Sequence, residues 1–191
     1  TTHVTNMLNH FYGRLTRKKQ MYILLLDTAR AFDTLSHTYL HECLKVTGFP
    51  DWFLNQIRGL LHEVVVFPVL TMLTGHKIHI LRGVKQGCPL SPFLFIIAIN
   101  VLLAKLGVIE AKRSFAFADD LALALRSVTN ILRALRIVKL FGEISDLRMN
   151  VLKTILVPTL EPSSATRRRL DAAGWKDLKI KESGVYLGVR F

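Results

Sequence analysis

Asp119 and Asp120 stand side by side in Ser-Phe-Ala-Phe-Ala-Asp-Asp-Leu-Ala-Leu-Ala-Leu, where two apolar runs with the alternation of β-strands meet. Two carboxylates so placed repel one another and raise each other's pKa, and a bound divalent cation reverses that penalty. Asp27 terminates a third apolar run, Met21-Tyr-Ile-Leu-Leu-Leu. If the strands ending at Asp27 and Asp119 are neighbours in one sheet, their ends bring the carboxylates together. Mg²⁺ favours carboxylates combined with substrate phosphates. Two such ions about 3.5 to 4 Å apart can activate an attacking hydroxyl and steady the leaving oxygen of an in-line phosphoryl transfer. The sequence offers no convincing Ser-His-Asp or Cys-His arrangement, so electrostatics and positioning must carry such a reaction. An Asp-Asp pair in isolation is more often two solvated turn residues; the flanking strands, Asp27 and the Gln86-Gly87 segment together turn the reading toward a metal site.

The chain around these residues has 191 positions, enough for one domain that buries roughly 70% of its extended surface. Lys and Arg number 26 against 14 Asp and Glu, a net charge of +12, which makes a polyanion the expected partner and a phosphate backbone the leading candidate. The cations fall into four groups: Arg14, Arg17, Lys18 and Lys19; Arg133, Arg136 and Lys139; Arg167, Arg168 and Arg169; and Lys176, Lys179 and Lys181. Four such patches could line a groove once folded. With Cys43 and Cys88 as the only cysteines, neither a zinc module nor a disulfide framework can be built, and a reducing, intracellular compartment fits. His37 and His41 are four apart, but no Cys-rich or carboxylate-rich second element accompanies them, so they read as a helix flank rather than a metal site.

Hydrophobic periodicity supplies the elements that must position the aspartates. It predicts an amphipathic helix over residues 3 to 17 with Val4, Met7, Leu8, Phe11 and Leu15 on one face, then a central strand ending at Asp27. Ser36 caps a helix with a buried stripe of Leu40, Cys43, Leu44 and Thr47, and Gly48 ends it. Pro50 suits the first turn of a helix that buries Phe53, Ile57, Leu60 and Leu61. Residues 64 to 72 and 77 to 81 flank Thr74-Gly75 and read as a hairpin. The apolar stretch from Phe93 to Ala104, about twelve residues long, is shorter than the roughly 20 needed to cross a bilayer, so a buried helix is expected. The aspartate hairpin comes next. A helix over 130 to 141 points Ile131, Leu132, Leu135, Val138 and Phe141 inward and Arg133, Arg136 and Lys139 outward. A strand over 151 to 157, a polar basic segment and a final hairpin containing Leu178, Ile180, Val185, Leu187 and Val189 complete the order. The expected class is α+β, with helices covering one face of a small antiparallel sheet and the other face free.

Five ordered blocks over roughly residues 20 to 190 give the chain a family resemblance. It resembles the palm of right-hand polymerases of the reverse transcriptase type, most closely those of non-long-terminal-repeat retrotransposons, with group II intron proteins more distant. The first block is Leu-Leu-Leu-Asp27-Thr-Ala-Arg30-Ala-Phe32-Asp33-Thr-Leu-Ser-His37. The resemblance implies that Asp27 is a metal ligand, that Arg30 lies at the nucleotide, and that Phe32 is the aromatic gate packing under the sugar and colliding with a 2′-hydroxyl. Asp33 is expected to support the local turn and helix. The second block, Arg82-Gly-Val-Lys-Gln86-Gly87-Cys-Pro-Leu-Ser-Pro92, implies nucleotide and template contacts at Gln86 and Gly87, with Gly87 allowing close backbone approach. The third is Phe117-Ala118-Asp119-Asp120, implying Asp119 as the better metal ligand and Asp120 beside the metals and primer end. In the fourth, Leu147-Arg-Met-Asn150-Val-Leu-Lys153-Thr154, Lys153 would neutralise the departing pyrophosphate or donate a proton, or serve only as a phosphate contact. Asp146 stands where the family usually has Gly. The fifth, Val185-Tyr186-Leu187-Gly188-Val189, implies a primer grip through Tyr186, Leu187 and Gly188.

The expected activity is RNA-directed DNA polymerisation with two Mg²⁺ ions, or Mn²⁺ in their place, held by Asp27, Asp119 and Asp120. The expected partners are an RNA template, a DNA primer and deoxynucleoside triphosphates, with no membrane. An RNA-copying RNA polymerase is disfavoured by Phe32. The alternative is a domesticated, non-catalytic subunit binding RNA or protein within a larger complex. Residues 1–19 are expected to be a remnant of the fingers and palm junction, 20–176 the palm, and 177–191 the primer-grip hairpin. The spacing between Phe95 and Phe117 is shorter than the family's, the fingers look incomplete, and no thumb is recognisable. The chain opens Thr-Thr-His rather than Met, which suggests a processed product or an excerpt of something longer. The nucleus or an organelle such as the mitochondrion is the expected compartment.

Overall fold

The computed structural model describes residues 2–62, 65–66, 78–109, 114–117 and 120–190. Asp119, Ala118 and the Thr74-Gly75 turn lie outside the described residues, as does the side chain of Phe117. In chain order the elements are α1 (Thr2–Thr16), β1 (Tyr22–Leu26), α2 (Ala31–Thr34), α3 (His37–Thr47), α4 (Asp51–His62), β2 (Val65–Val66), β3 (Ile78–His79) and α5 (Leu90–Gly107). Then come β4 (Ser114–Phe117), β5 (Asp120–Leu125), α6 (Val128–Ser145), β6 (Ile155–Pro158), α7 (Ser164–Ala172), β7 (Lys179–Ile180), β8 (Val185–Tyr186) and β9 (Val189–Arg190).

The main sheet runs β4-β5-β1-β6-β7. β1 pairs antiparallel with both β5 and β6, and all five of its residues are buried. An unbroken apolar run buried on both faces is what a central strand requires. Alternation splits the sheet into two faces. Tyr22, Leu24, Leu26, Leu121, Leu123 and Leu125 join the larger core with α3, α5 and α6, while Ile23, Leu25, Ala122, Ala124 and Val157 form a smaller one. That second face is not free as the sequence suggests. Met7 and Phe11 of α1 and Tyr186 of β8 cover part of it, because Met7 and Phe11 lie four apart on one helical face and need a surface to bury.

Several boundaries differ from the sequence expectation for identifiable reasons. α5 extends over 18 residues rather than twelve, long and apolar enough by length and composition to cross a membrane; Leu94, Phe95, Ala98, Ile99, Leu102 and Leu106 nevertheless face the core. Ser36 and Gly48 cap α3 as expected, with the Ser36 side chain accepting from the Tyr39 amide and Gly48 at φ 91°, but Thr47 is exposed. In α4 the buried positions are Leu54, Ile57 and Leu61, while Leu60 is exposed. Residues 151–153 form a turn before β6. The polar basic segment is a helix, α7, capped by the Ser163 side chain, and it buries only Leu170. A single buried apolar position gives no periodicity to read. β7 pairs parallel with β6 inside the main sheet, so only β8 and β9 form the last hairpin.

Candidate active site

β1 and β5 are in register with Leu25 opposite Ala122 and Leu26 opposite Leu121. Asp27 and Asp120 are the next residues beyond that last pair, and both line one pocket. Both belong by alternation to the face that carries Ile23, Leu25, Ala122 and Ala124. Asp27 is held from its other side as well, since its carbonyl accepts from the Asn150 amide at 2.8 Å and Thr28 bridges Met149. Phe117 pairs with Asp120 across the β4–β5 hairpin. The two residues between them include Asp119, the sequence-predicted principal ligand.

Asp27 and Asp120 line a pocket of about 120 Å³ together with Lys153, Ile155, Tyr186 and Leu187. The Lys153 ammonium lies 3.8 Å from an Asp27 carboxylate oxygen, and its side chain is 68% exposed, so it is a mobile counterion rather than a fixed one. Tyr186 is 4% exposed. Burial, and then the negative charge of Asp120, push its hydroxyl up to about 12. Leu187 and Gly188 form the turn between β8 and β9 with φ of 49° and 79°. Among the described residues no group of three or more His, Cys, Asp or Glu could hold a metal. The two carboxylates that line this pocket nonetheless fit a hard divalent cation, which prefers oxygen ligands, and the Lys153 ammonium beside Asp27 shows that positive charge is drawn there.

The residues expected at the nucleotide lie at a junction between the 30–37 segment and the 82–86 segment. Arg30 adopts a left-handed conformation, φ 51°, before the single turn of α2. Phe32 stacks on the buried Phe95 of α5 with ring centroids 4.6 Å apart. The Gly83 amide donates to the Leu35 carbonyl and the Val84 amide to the Phe32 carbonyl, each at 2.7 Å. Buried His37 donates through Nε2 to the Gly83 carbonyl at 2.7 Å. Gln86 Nε2 donates to Asp33 Oδ1 at 3.1 Å, so Asp33 orients Gln86 besides closing its own turn.

Within the chain itself, close backbone approach is found at Gly83. A Cβ on Gly83 would stand 2.5 Å from the Asp33 carbonyl oxygen, whereas one on Gly87 would meet nothing within 4 Å. Gly87 has a positive φ of 84°, a conformation that suits glycine. Sequence reading also passed over Asn150 and Arg82. The first acts through its backbone amide, which no residue type reveals. Arg82 pairs with Asp146 at 3.7 Å, and Asp146 ends α6 in the left-handed conformation, φ 62°; glycine suits that place, and Asp tolerates it better than most residues.

A family model described as "Reverse transcriptase (RNA-dependent DNA polymerase)" matches residues 5–191. The chain is 34% identical over 127 residues to a retrovirus-related Pol polyprotein from type-1 retrotransposable element R2 of Popillia japonica, covering 61% of this chain and 21% of that one. It is 35% identical over 112 residues to the corresponding polyprotein of the type-2 element R2DM of Drosophila melanogaster, covering 55% and 11%. The chain thus spans about a fifth or less of the length of these relatives. Its fold is similar to that of telomerase from Candida albicans, solved with the TWJ fragment of telomeric RNA, at a TM-score of 0.71 and 16% identity over 97% of this chain and 32% of that one. Apo telomerase from Candida tropicalis truncated from its C-terminal domain gives 0.68 at 15% identity, over 100% of this chain and 38% of that one.

Proposed function

The chain belongs to the reverse transcriptase (RNA-dependent DNA polymerase) family, and we propose that it is the catalytic palm of an enzyme that copies RNA into DNA. The observation that carries this reading is the pocket that Asp27 and Asp120 share with Lys153 and Tyr186, just beyond the Leu26–Leu121 pair of β1 and β5. Asp27 and Asp120, with Asp119, would hold divalent Mg²⁺ or Mn²⁺. When bound, such ions supply Lewis acidity toward a phosphate and the hydroxyl that attacks it.

The chain's own residues position the reactants. Lys153 follows the departing phosphates, since a mobile ammonium beside Asp27 is free to swing toward new negative charge. Tyr186 keeps its proton and packs beneath Asp120 without adding charge. The Leu187-Gly188 turn holds the primer end over the pocket. Phe32, backed by Phe95, forms a wall under the sugar that selects deoxynucleotides. Gln86, oriented by Asp33, meets the incoming nucleotide beside Gly87, and Arg30 faces its phosphates. An RNA template, a DNA primer and deoxynucleoside triphosphates are the partners this implies.

The test is extension of a DNA primer on an RNA template in Mg²⁺, paired with calorimetric titration of the protein with Mn²⁺. Asp27→Asn should cut extension by about a hundredfold to a thousandfold, the scale on which lost transition-state electrostatics is measured, and should weaken Mn²⁺ binding. Extension that persists unchanged in Asp27→Asn and Asp120→Asn would overturn the proposal. A chain that binds RNA equally with or without these carboxylates and incorporates nothing would fit a non-catalytic subunit instead.

A further inference from the structure

A groove of about 850 Å³ lies on the helical side of the sheet, between α6, the 148–151 segment and the turn that follows α7. α6 turns Ile131, Leu135, Val138 and Phe141 into the larger core, whereas Asp27 and Asp120 belong to the opposite face, so the groove is separate from the carboxylate pocket. Met149, Val151 and half-buried Trp175 line it together with Arg136, Lys139 and Arg148. Glu143 is the one carboxylate among its lining residues.

We propose that this groove is a second nucleic-acid site, which takes a single strand with its bases against Trp175 and the apolar floor and its phosphates on Arg136, Lys139 and Arg148. Lys139 follows Arg136 by three positions on α6, a spacing that keeps both on one helical face, and both are exposed. The excess of cations continues past the groove. Arg133 is exposed on α6, Arg168 and Arg169 on α7, and Lys176 beyond it. Arg169 donates to Thr129 Oγ1 at 3.0 Å, tying the two helices' basic surfaces together. A positive field wider than the groove suits a strand that runs across it. A duplex would offer phosphates but no bases to the apolar floor. An acidic amphipathic peptide would satisfy the floor and rim and leave the outlying cations unmet.

The site needs no catalysis, so its test is run with EDTA present and its outcome is independent of the polymerase reading. Fluorescently labelled oligouridylate and oligothymidylate are titrated by anisotropy against the 191-residue chain and against the triple variant Arg136→Glu, Lys139→Glu, Arg148→Glu. The variant should bind at least about tenfold more weakly, and its salt dependence should fall in slope by about 2, since each cation that neutralises a single-strand phosphate contributes roughly 0.7. Arg17→Glu, Lys18→Glu, Lys19→Glu makes the same change in charge at the other end of β1. Equal weakening in that control would reduce the effect to net charge and overturn the proposal. In a Trp52→Phe background Trp175 reports alone, and either oligonucleotide should quench it saturably. Preference for the ribose strand would mark contacts to the 2′-hydroxyl, and equal binding a site that reads backbone and base alone; both support a single-strand site. An unmoved Trp175 signal, or quenching by an acidic amphipathic helical peptide but not by the oligonucleotides, would overturn it.

Discussion

The carboxylate pocket and the junction beside it are built in opposite ways. At the junction, the 30–37 and 82–86 segments are fastened by backbone hydrogen bonds of 2.7 Å, a buried histidine and a glycine with no room for a side chain. The pocket is assembled by strand register, and its described charged contact is a 3.8 Å pair with an exposed lysine. One region holds shape, and the other holds charge where a ligand is expected to neutralise it. Stability and chemistry should therefore be lost separately when each is altered.

Gly83→Ala is the strongest way to break that distinction. A Cβ at 2.5 Å from the Asp33 carbonyl, on a backbone with φ 86°, forces the two segments apart, at a cost of about 3 kcal/mol or more by the usual scale of overpacking plus backbone strain. Urea unfolding should show the loss directly. Asp120→Asn, in contrast, alters an exposed carboxylate without changing packing and should cost no more than about 1 kcal/mol, far less than Gly83→Ala. If Asp120→Asn destabilises the chain as much as Gly83→Ala, the pocket is structural and the two regions are built alike.

Tyr186 is the pocket's one well-buried polar group among those described, and it gives the pocket a pH signature. Its hydroxyl titrates near 10 in an unfolded chain and about 12 when folded. The folded state therefore keeps a proton that the unfolded state loses, so this contribution is full below pH 10 and is lost as pH rises toward 12. The slope is at most roughly 1.4 kcal/mol for each pH unit. Tyr39 is shifted in the same direction, by burial and by Cys43, so total alkaline unfolding cannot isolate the group. The difference between parent and Tyr186→Phe unfolding curves, measured from pH 9 to 11.5, should open above about pH 10 and be flat below it. A constant difference throughout would mean that Tyr186 contributes packing alone.

The sequence was most legible where residue type and geometry coincide. The apolar run before Asp27 reads as a central strand because it is buried on both faces, and Ser36 and Gly48 read as caps because their chemistry is specific to helix ends. The pocket that Asp27 and Asp120 share depends on strand neighbourhood, a condition that the sequence leaves open and the register supplies. What stayed hidden acts through backbone or long-range pairing: the Asn150 amide on Asp27, the crowding around Gly83, the parallel pairing of β7, and α7 with its one buried leucine. The second groove was illegible for the same reason. The sequence groups Arg136 with Lys139, but only folding adds Arg148 and Trp175.

The smallest effect concerns the point where the junction meets α6. Asp146 holds φ 62° at the end of that helix while its carboxylate pairs with Arg82 at 3.7 Å. Asp146→Gly relieves a left-handed backbone, worth at most about 1 kcal/mol since Asp tolerates that conformation better than most residues. It also removes an ion pair whose arginine side chain is 61% exposed, worth roughly 0 to 1 kcal/mol. The unfolding free energy should therefore change by less than about 1 kcal/mol, with a small gain that grows as added salt screens the pair in the parent. A loss that persists in high salt would mean that the Asp146 carboxylate holds the Arg82 segment in place by more than charge. The junction would then be fastened by side chains as well as backbone, and its contrast with the pocket would narrow.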